Sequence, residues 1–205
     1  MNITIIGSGN VGGTLAAAFR KAGHTVIFGV KDPAMSFKGK DMADQLSLPY
    51  FLIQEAVKKS EVIFLCTPAK FADTITQSLG DVHNKIIIDT MNGLNMQPAG
   101  FTNTTDAILA NCNTTDVVKC FNSTGFENMA DPIYKGQGID MFMAGSSEKG
   151  KQVAKQLATD IGFANCYDFG GNHKFYALEQ FAFAWINLAI IQKQGRDIAF
   201  KLIKR

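Results

Sequence analysis

Apolar residues along the chain fall into two alternating patterns. Short runs rich in β-branched residues alternate with longer stretches of helical period. Asn2–Ile6 opens the series as a strand, with Ile3, Thr4, Ile5 and Ile6 all β-branched. A glycine-rich turn over Gly7–Gly13 leads into an alanine-rich helix over Thr14–Ala22, and Gly23 stands where a helix C-cap belongs. Further strands are predicted at Thr25–Phe28, Pro49–Leu52, Val62–Cys66, Lys85–Asp89, Asp116–Phe121 and Ile139–Ala144. Helices are predicted at Gln54–Lys59, Ala69–Leu79, Ser147–Ile161 and Lys174–Lys193, with Ser147 and Gly162 as caps of the third.

These strands are apolar throughout instead of alternating, which is the mark of a sheet covered on both faces. Strand–helix–strand order with right-handed crossovers then gives an α/β fold, a doubly wound parallel sheet closed by a C-terminal helix. Residues 1–170 are expected to form the sheet domain, and 171–205 a helical appendage of the same globule. In such sheets ligands bind beyond the carboxyl ends of the strands. The loops to inspect are therefore 7–13, 29–33, 66–71, 89–95 and 121–126.

The first of these loops carries the most specific signal. Gly7-Ser8-Gly9-Asn10-Val11-Gly12 reads G-x-G-x-x-G between a strand and a helix, with a second strand about 20 residues on. Gly7 permits the tight turn, Gly9 lets the backbone approach a pyrophosphate, and Gly12 lets helix and strand pack closely. The free N–H groups of the helix N-terminus complete an anion site. This is the Rossmann pattern, and it predicts that a dinucleotide binds here.

The end of the second strand decides which dinucleotide. An acidic residue there holds the ribose 2′-hydroxyl of NAD, whereas a cation accommodates the 2′-phosphate of NADP. The segment reads Gly29-Val30-Lys31-Asp32. Val30 and Lys31 stand nearer the expected strand end than Asp32, so NADP is the expected cofactor. Thr67-Pro68, after the fourth strand, is placed beside the nicotinamide ribose, although Pro68 also suits a plain strand stop. Asn92 fits either a nicotinamide contact or an ordinary Asn-Gly turn. Phe121 and Asn122 are expected to project toward the nicotinamide end, where an aromatic and an amide suit a flat ring; the alternatives are a core Phe121 and a capping Asn122.

Acid–base chemistry is thinly represented. His173 opens the final helix near the expected cleft and is the one acid/base candidate, though a lone histidine is more often structural. Glu179 is out of place among Phe175, Leu178, Phe181 and Phe183, and is read as capping, pairing or facing a ligand. Trp185 is read as packing or as a subunit contact. Cys66, Cys112, Cys120 and Cys166 are widely spaced with no C-x-x-C pair, so no metal site is expected.

Composition narrows the classes further. Of 205 residues, 46% are hydrophobic and 19% charged, enough for a sizeable core and against intrinsic disorder. A formal net charge of +2 offers no field for nucleic acid or an anionic membrane. The apolar run Phe181–Ile191 spans 11 residues and contains Asn187, short of the roughly 20 that a bilayer requires. With strand pattern starting at the first residues, a cytoplasmic location is expected. Because the final helix is apolar nearly all round, it is expected to pack on the sheet and against a second copy of the chain, forming a homodimer.

Several segments in one order also resemble a known family. They are Gly7–Gly12, Val62–Pro68, Val118-Lys119-Cys120-Phe121-Asn122, the turn at Gly145, Asp160-Ile161-Gly162-Phe163 and Gly195-Arg196-Asp197-Ile198-Ala199-Phe200-Lys201. Together they resemble the NADPH-dependent deazaflavin (coenzyme F-420) oxidoreductases and their bacterial dinucleotide-binding relatives. The cytosolic domain of the six-transmembrane metalloreductases is similar too. The resemblance implies NADP held by residues 7–12 and by a basic residue after the second strand. Val30-Lys31 departs from the family's usual Ser-Arg but keeps the cation. The implied activity is hydride transfer between NADPH and a flat acceptor such as a flavin or deazaflavin, which needs ring alignment more than an acid–base dyad. Two rival readings are reduction of a small imine or carbonyl, and an NADP(H) sensor without turnover.

Overall fold

The structure, a computed structural model, describes residues 1–94 and 96–205; Asn95, at the end of the expected loop 89–95, lies outside the described residues. The chain opens with β1 (Asn2–Ile6), α1 (Asn10–Lys21) and β2 (Thr25–Val30). Helix α1 starts four residues before the alanine-rich stretch, because Gly12 brings its first turn directly onto the β1 turn. A Cβ at Gly12 would overlap the Gly7 carbonyl oxygen. Then come α2 (Lys40–Gln45), β3 (Tyr50–Leu52), α3 (Ile53–Lys58) and β4 (Val62–Leu65). A 3-10 turn at Ala69–Phe71 runs into α4 (Ala72–Ser78), followed by β5 (Ile86–Asp89), α5 (Thr104–Asn111) and β6 (Val117–Cys120).

Beyond β6 lie the short α6 (Phe126–Ala130) and a hairpin of β7 (Ile133–Tyr134) and β8 (Gln137–Gly138). The chain continues through β9 (Asp140–Ala144), α7 (Glu148–Asp160) and β10 (Asn165–Asp168). A 3-10 turn at Asn172–Lys174 leads into α8 (Phe175–Ile186), whose last residues widen into a π-helical turn at Asn187–Ile191.

Among the described residues eight strands form one sheet, in the order β3-β2-β1-β4-β5-β6-β9-β10. The first six are parallel in the doubly wound order expected. The last two correct that expectation: β9 pairs antiparallel with β6 through Lys119↔Ala144 and Cys120↔Met143, and β10 is parallel to β9. A parallel neighbour for β6 would need a crossover the length of the sheet. The chain instead makes α6 and the hairpin at the carboxyl edge and re-enters from that same edge.

Alternate residues of the strands feed two cores. Ile3, Ile5, Phe28 and Phe64 face Leu15 and Phe19 of α1 on one side, with Ala154 and Leu157 of α7 further along. Ile6, Ile63, Leu65 and Ile87 face Val57 of α3, Ile75 of α4 and Ile108 of α5 on the other. Phe175 and Leu178 of α8 pack on Phe142 and Ala144 of β9. Six elements escaped the sequence pattern: α2, α6 and the strands β7 and β8 are very short, β10 is four residues with polar ends, and α5 opens on Thr104-Thr105. Helix α5 is nucleated by Asn103, whose side chain accepts the Asp106 N–H at 2.9 Å.

Within one chain, α8 is covered on the side that faces the sheet. Phe175, Leu178, Glu179, Ala182 and Trp185 are buried, but Phe183, Leu188, Ile190 and Ile191 remain 39 to 55% exposed. No helix among the described residues is long and apolar enough to cross a membrane. After α8 the tail folds back on the body. The Trp185 indole N–H donates to the Ile198 carbonyl at 2.6 Å, and Phe200 lies 4.6 Å from Phe181, centroid to centroid. The Leu202 N–H donates to Asp140 Oδ2 at 2.8 Å.

Candidate functional site

The carboxyl ends of β1, β2 and β4 surround a cavity of about 360 Å³ lined by Gly7, Ser8, Val30, Lys31, Asp32, Ser36, Ile53, Thr67 and Ile75, among others. Gly7 sits at φ +100°, a left-handed conformation open to glycine, and a Cβ there would come 2.5 Å from the Cys66 carbonyl oxygen. Gly9 is the opposite case: a Cβ there would meet nothing within 4 Å. Its place in the turn is therefore set by space kept clear above the backbone. Helix α1 has Gly9 as its N-cap, no side-chain cap and no acidic residue in its first turn, so its leading N–H groups are free for an anion. Asn10 is exposed and Val11 half-buried beside them. The Ser8 hydroxyl is engaged by the Lys38 carbonyl, which ties the loop after β2 to the glycine turn.

At the far wall of the cavity β2 ends one residue later than Gly29, at the buried Val30, and Lys31 follows fully in solvent reach. The Asp32 carboxylate accepts the Ala34 N–H at 2.9 Å and so caps its own turn. Lys31 also lines an adjoining groove of about 530 Å³ between α3 and α4, together with Ile53, Lys58 and Ile75. Ile53 and Ile75 border both spaces and provide flat apolar walls. Thr67 borders the cavity with its hydroxyl 3.3 Å from the Met91 sulfur, and Pro68 is exposed above it. Burial pushes the neighbouring Cys66 thiol up to about 12.

Over β5 and β6 the expected residues meet, with one exception. Asn92 and Asn122 form a reciprocal pair: the Asn92 amide N–H donates to the Asn122 carbonyl at 2.8 Å, and the Asn122 amide N–H donates to Asn92 Oδ1 at 2.9 Å. Asn122 is 4% exposed, and its Oδ1 has no hydrogen-bond partner among the described residues. Phe121 is the exception. Its side chain does not project toward the cleft but is fully buried between Phe19, Phe64 and Phe163. The backbone turns at Phe121 with φ +58°, so Phe121 enters the core while Asn122 reaches the loop after β5. That conformation costs a bulky residue about 1–2 kcal/mol and persists only where the surroundings fix it.

His173 is the second correction. It follows β10, and β10 runs against β1–β6. The turn carrying His173 therefore lies at the amino edge of the six parallel strands, opposite the cavity, with its side chain in solvent.

The pattern missed a cluster under the Asn92–Asn122 pair. Lys119 is fully buried, and its ammonium donates to Asp89 Oδ2 at 2.7 Å, to the Met91 carbonyl at 2.8 Å and to Thr104 Oγ1 at 2.9 Å. Glu179 Oε1 lies 3.0 Å from it. The Thr105 hydroxyl donates to Asp89 Oδ2 at 2.7 Å, and the Gly93 N–H donates to Glu179 Oε2 at 3.1 Å. Each of the three charges interrupts an apolar run in the sequence, which was the available signal. No group of three or more His, Cys, Asp or Glu residues able to hold a metal occurs among the described residues.

Fold and cavity together define an NAD(P)-binding protein of the doubly wound class. Residues 2–93 match the family model described as "NADP oxidoreductase coenzyme F420-dependent", a family of NADP-dependent oxidoreductases. This is the family whose motifs the sequence resembles, and the match covers β1 through the loop after β5. Among solved structures the chain is similar to a protein of Arthrobacter sp. FB24 provisionally described as an F420-dependent NADP-reductase. That likeness has 21% identity and a TM-score of 0.84 and covers all of both chains. A hypothetical protein of Sinorhizobium meliloti is similar at 22% identity and a TM-score of 0.73, over all of this chain and 96% of that one. A reductive aminase of Aspergillus terreus, in complex with NADPH and ethyl levulinate, is similar at 15% identity and a TM-score of 0.66. There 94% of this chain covers 62% of the other. At these identities the likeness is one of fold.

Proposed function

We propose that the protein binds NADP(H) across the carboxyl edge of the sheet and passes hydride between NADPH and a flat acceptor such as a flavin or deazaflavin. The observation that carries the reading is the turn at Gly7-Ser8, which lines the same cavity as Lys31 and runs into an α1 N-terminus with no side-chain cap and with open space over Gly9. The pyrophosphate sits on the α1 N-terminus, held by the turn Gly7–Gly12. Ile53 and Ile75 sandwich the adenine. Lys31 faces the 2′-phosphate, while Asp32 is occupied in its own turn.

When bound, NADPH supplies the hydride. The chain would orient it: Thr67 and Pro68 would border the ribose, and Asn122 Oδ1, unpartnered among the described residues, would accept from the nicotinamide carboxamide. With His173 at the other edge, the reading calls for no side-chain acid–base pair. That suits exchange between two rings, where alignment is the main requirement.

The test is depletion of NADPH absorbance in the presence of flavins, a deazaflavin and small imines or carbonyls. Turnover with the ring acceptors supports the reading. Turnover with imines alone replaces the acceptor, and tight NADPH binding with no turnover makes the protein a sensor. We further propose that Phe183, Leu188, Ile190 and Ile191, exposed along one end of α8 and its π turn, pair with a second copy. A monomeric mass by light scattering at working concentration contradicts that pairing.

A further inference from the structure

We infer that Glu179, on α8, is a positioning residue for the nicotinamide end of the cleft, acting with Lys119 through the backbone of the loop after β5. The inference rests on the cofactor reading above and names a residue 86 positions from the loop it controls.

Three consecutive stretches of backbone in that loop are gripped by buried ionisable side chains. The Met91 N–H donates to Asp89 Oδ1 at 2.9 Å, and the Met91 carbonyl accepts from Lys119 at 2.8 Å. The Gly93 N–H donates to Glu179 at 3.1 Å. Asn92 stands between these anchors, and its amide in turn aligns Asn122. The Asn122 amide N–H also lies 3.5 Å from the Leu178 carbonyl, one residue before Glu179. Helix α8 therefore touches Asn122 itself and Gly93, the residue after Asn92.

The loop has reason to need such anchors. Leu94 is at φ +40° and Phe121 at φ +58°, so both segments that carry the asparagines contain a non-glycine residue in left-handed conformation. Strained segments hold their shape only when neighbouring contacts over-determine it. Glu179 is 1% exposed and spends both carboxylate oxygens here: Oε1 faces Lys119 and the Thr104 hydroxyl, and Oε2 takes the Gly93 N–H. A carboxylate is acceptor-only at both oxygens, which this position requires because donors face it from both sides. Gly93 is itself fitted to the contact: a Cβ there would come 3.1 Å from Glu179 Oε2 and 3.2 Å from Gln97 Cγ.

The chemistry separates two substitutions. Glu179→Ala removes both anchors. Glu179→Gln keeps the shape but turns one acceptor into a donor, so it serves either Lys119 or Gly93 and not both. A third variant, Gly93→Ala, presses on the same contact from the loop side while removing no charge.

The experiment compares two ligands on the folded proteins, checked by circular dichroism: NADPH, and 2′,5′-ADP, which lacks the nicotinamide. In wild type both bind, and the reduced-nicotinamide fluorescence shifts on binding. For Glu179→Ala and Gly93→Ala the 2′,5′-ADP affinity stays within about twofold of wild type while NADPH affinity falls about tenfold and the fluorescence shift is lost, with Glu179→Gln between. Should Glu179→Ala not fold, Glu179→Gln and Gly93→Ala carry the same comparison. Parallel loss of both ligands, or unchanged NADPH affinity and fluorescence in the folded variants, overturns the positioning role. A wild type that binds 2′,5′-ADP but shows no nicotinamide contribution overturns it as well. A wild type that binds neither ligand fails the cofactor reading instead, and the inference falls with it.

Discussion

The two ends of the cleft are built by opposite means. Around Gly7–Gly12 the site consists of backbone and of side chains that are absent: one contiguous turn, a helix end without a cap, and space kept clear above Gly9. Over β5 and β6 it consists of side chains brought from distant parts of the chain. Lys119 meets Asp89 across 30 positions, and Glu179 meets Gly93 across 86. Under the proposed reading the first design would hold an anion through dipoles that need no folding of remote segments, and the second would make ring placement depend on where α8 packs. A binder that must hold one end of its ligand firmly and present the other to an acceptor gains from that division.

The comparison can be broken from either side. The largest effect is expected at the glycine turn: Gly12→Ala drives a Cβ into the Gly7 carbonyl oxygen and should cost about 4 kcal/mol or more. Thermal unfolding followed by circular dichroism reads this. A shift of one or two degrees would mean that α1 slides off β1 freely and that the turn is not a rigid cradle.

Next comes Lys119→Met, which leaves the Asp89 and Glu179 carboxylates buried without their cation. Removing one partner of a buried pair costs about 3–5 kcal/mol, measurable by denaturant titration. Adding Asp89→Asn and Glu179→Gln should recover part of it. No recovery would show that the charges are not coupled.

At the cavity wall, Lys31→Ala should weaken NADPH about tenfold or more, the loss of a charge-assisted contact, and leave NADH unaffected. Equal loss of both would remove Lys31 from cofactor choice.

The smallest effect lies in the tail. Arg196 donates twice to Glu127, at 2.5 and 2.9 Å, and stacks over Trp185 and Phe126. The Arg196 guanidinium holds the Glu127 carboxyl below its ordinary value of 4.5. A carboxyl depressed in the folded state stabilises above its unfolded value, and that contribution disappears as pH falls through the folded value. The pair is about one-third exposed, so its contribution is small, under about 1 kcal/mol. Fluorescence of Trp185, the one tryptophan, should change below pH 4.5. Glu127→Gln should abolish that transition, and persistence of the transition in the variant would assign it elsewhere.

The same contrast explains what was legible in the sequence. The glycine turn, the strand after it and the place of Lys31 just past that strand could be read because each is a local pattern with a local cause. The six parallel strands followed from apolar runs of fixed length. The reversal at β9 could not be read, since it depends on the chain returning from the same edge after α6. That reversal is also why His173, adjacent to the cleft by strand counting, lies at the opposite edge. Phe121 was misplaced because a strand's alternation does not foresee a left-handed residue at its end. Lys119, Asp89 and Glu179 were each visible as a charge in an apolar run, but their meeting depends on tertiary packing alone.

The most direct test of the account is a calorimetric titration of the wild-type protein with NADPH and, separately, with NADH. The account predicts one site per chain for NADPH and an affinity for NADH at least about tenfold weaker, the difference of a 2′-phosphate contact at Lys31. Absence of heat with either dinucleotide, or tighter binding of NADH, would contradict it.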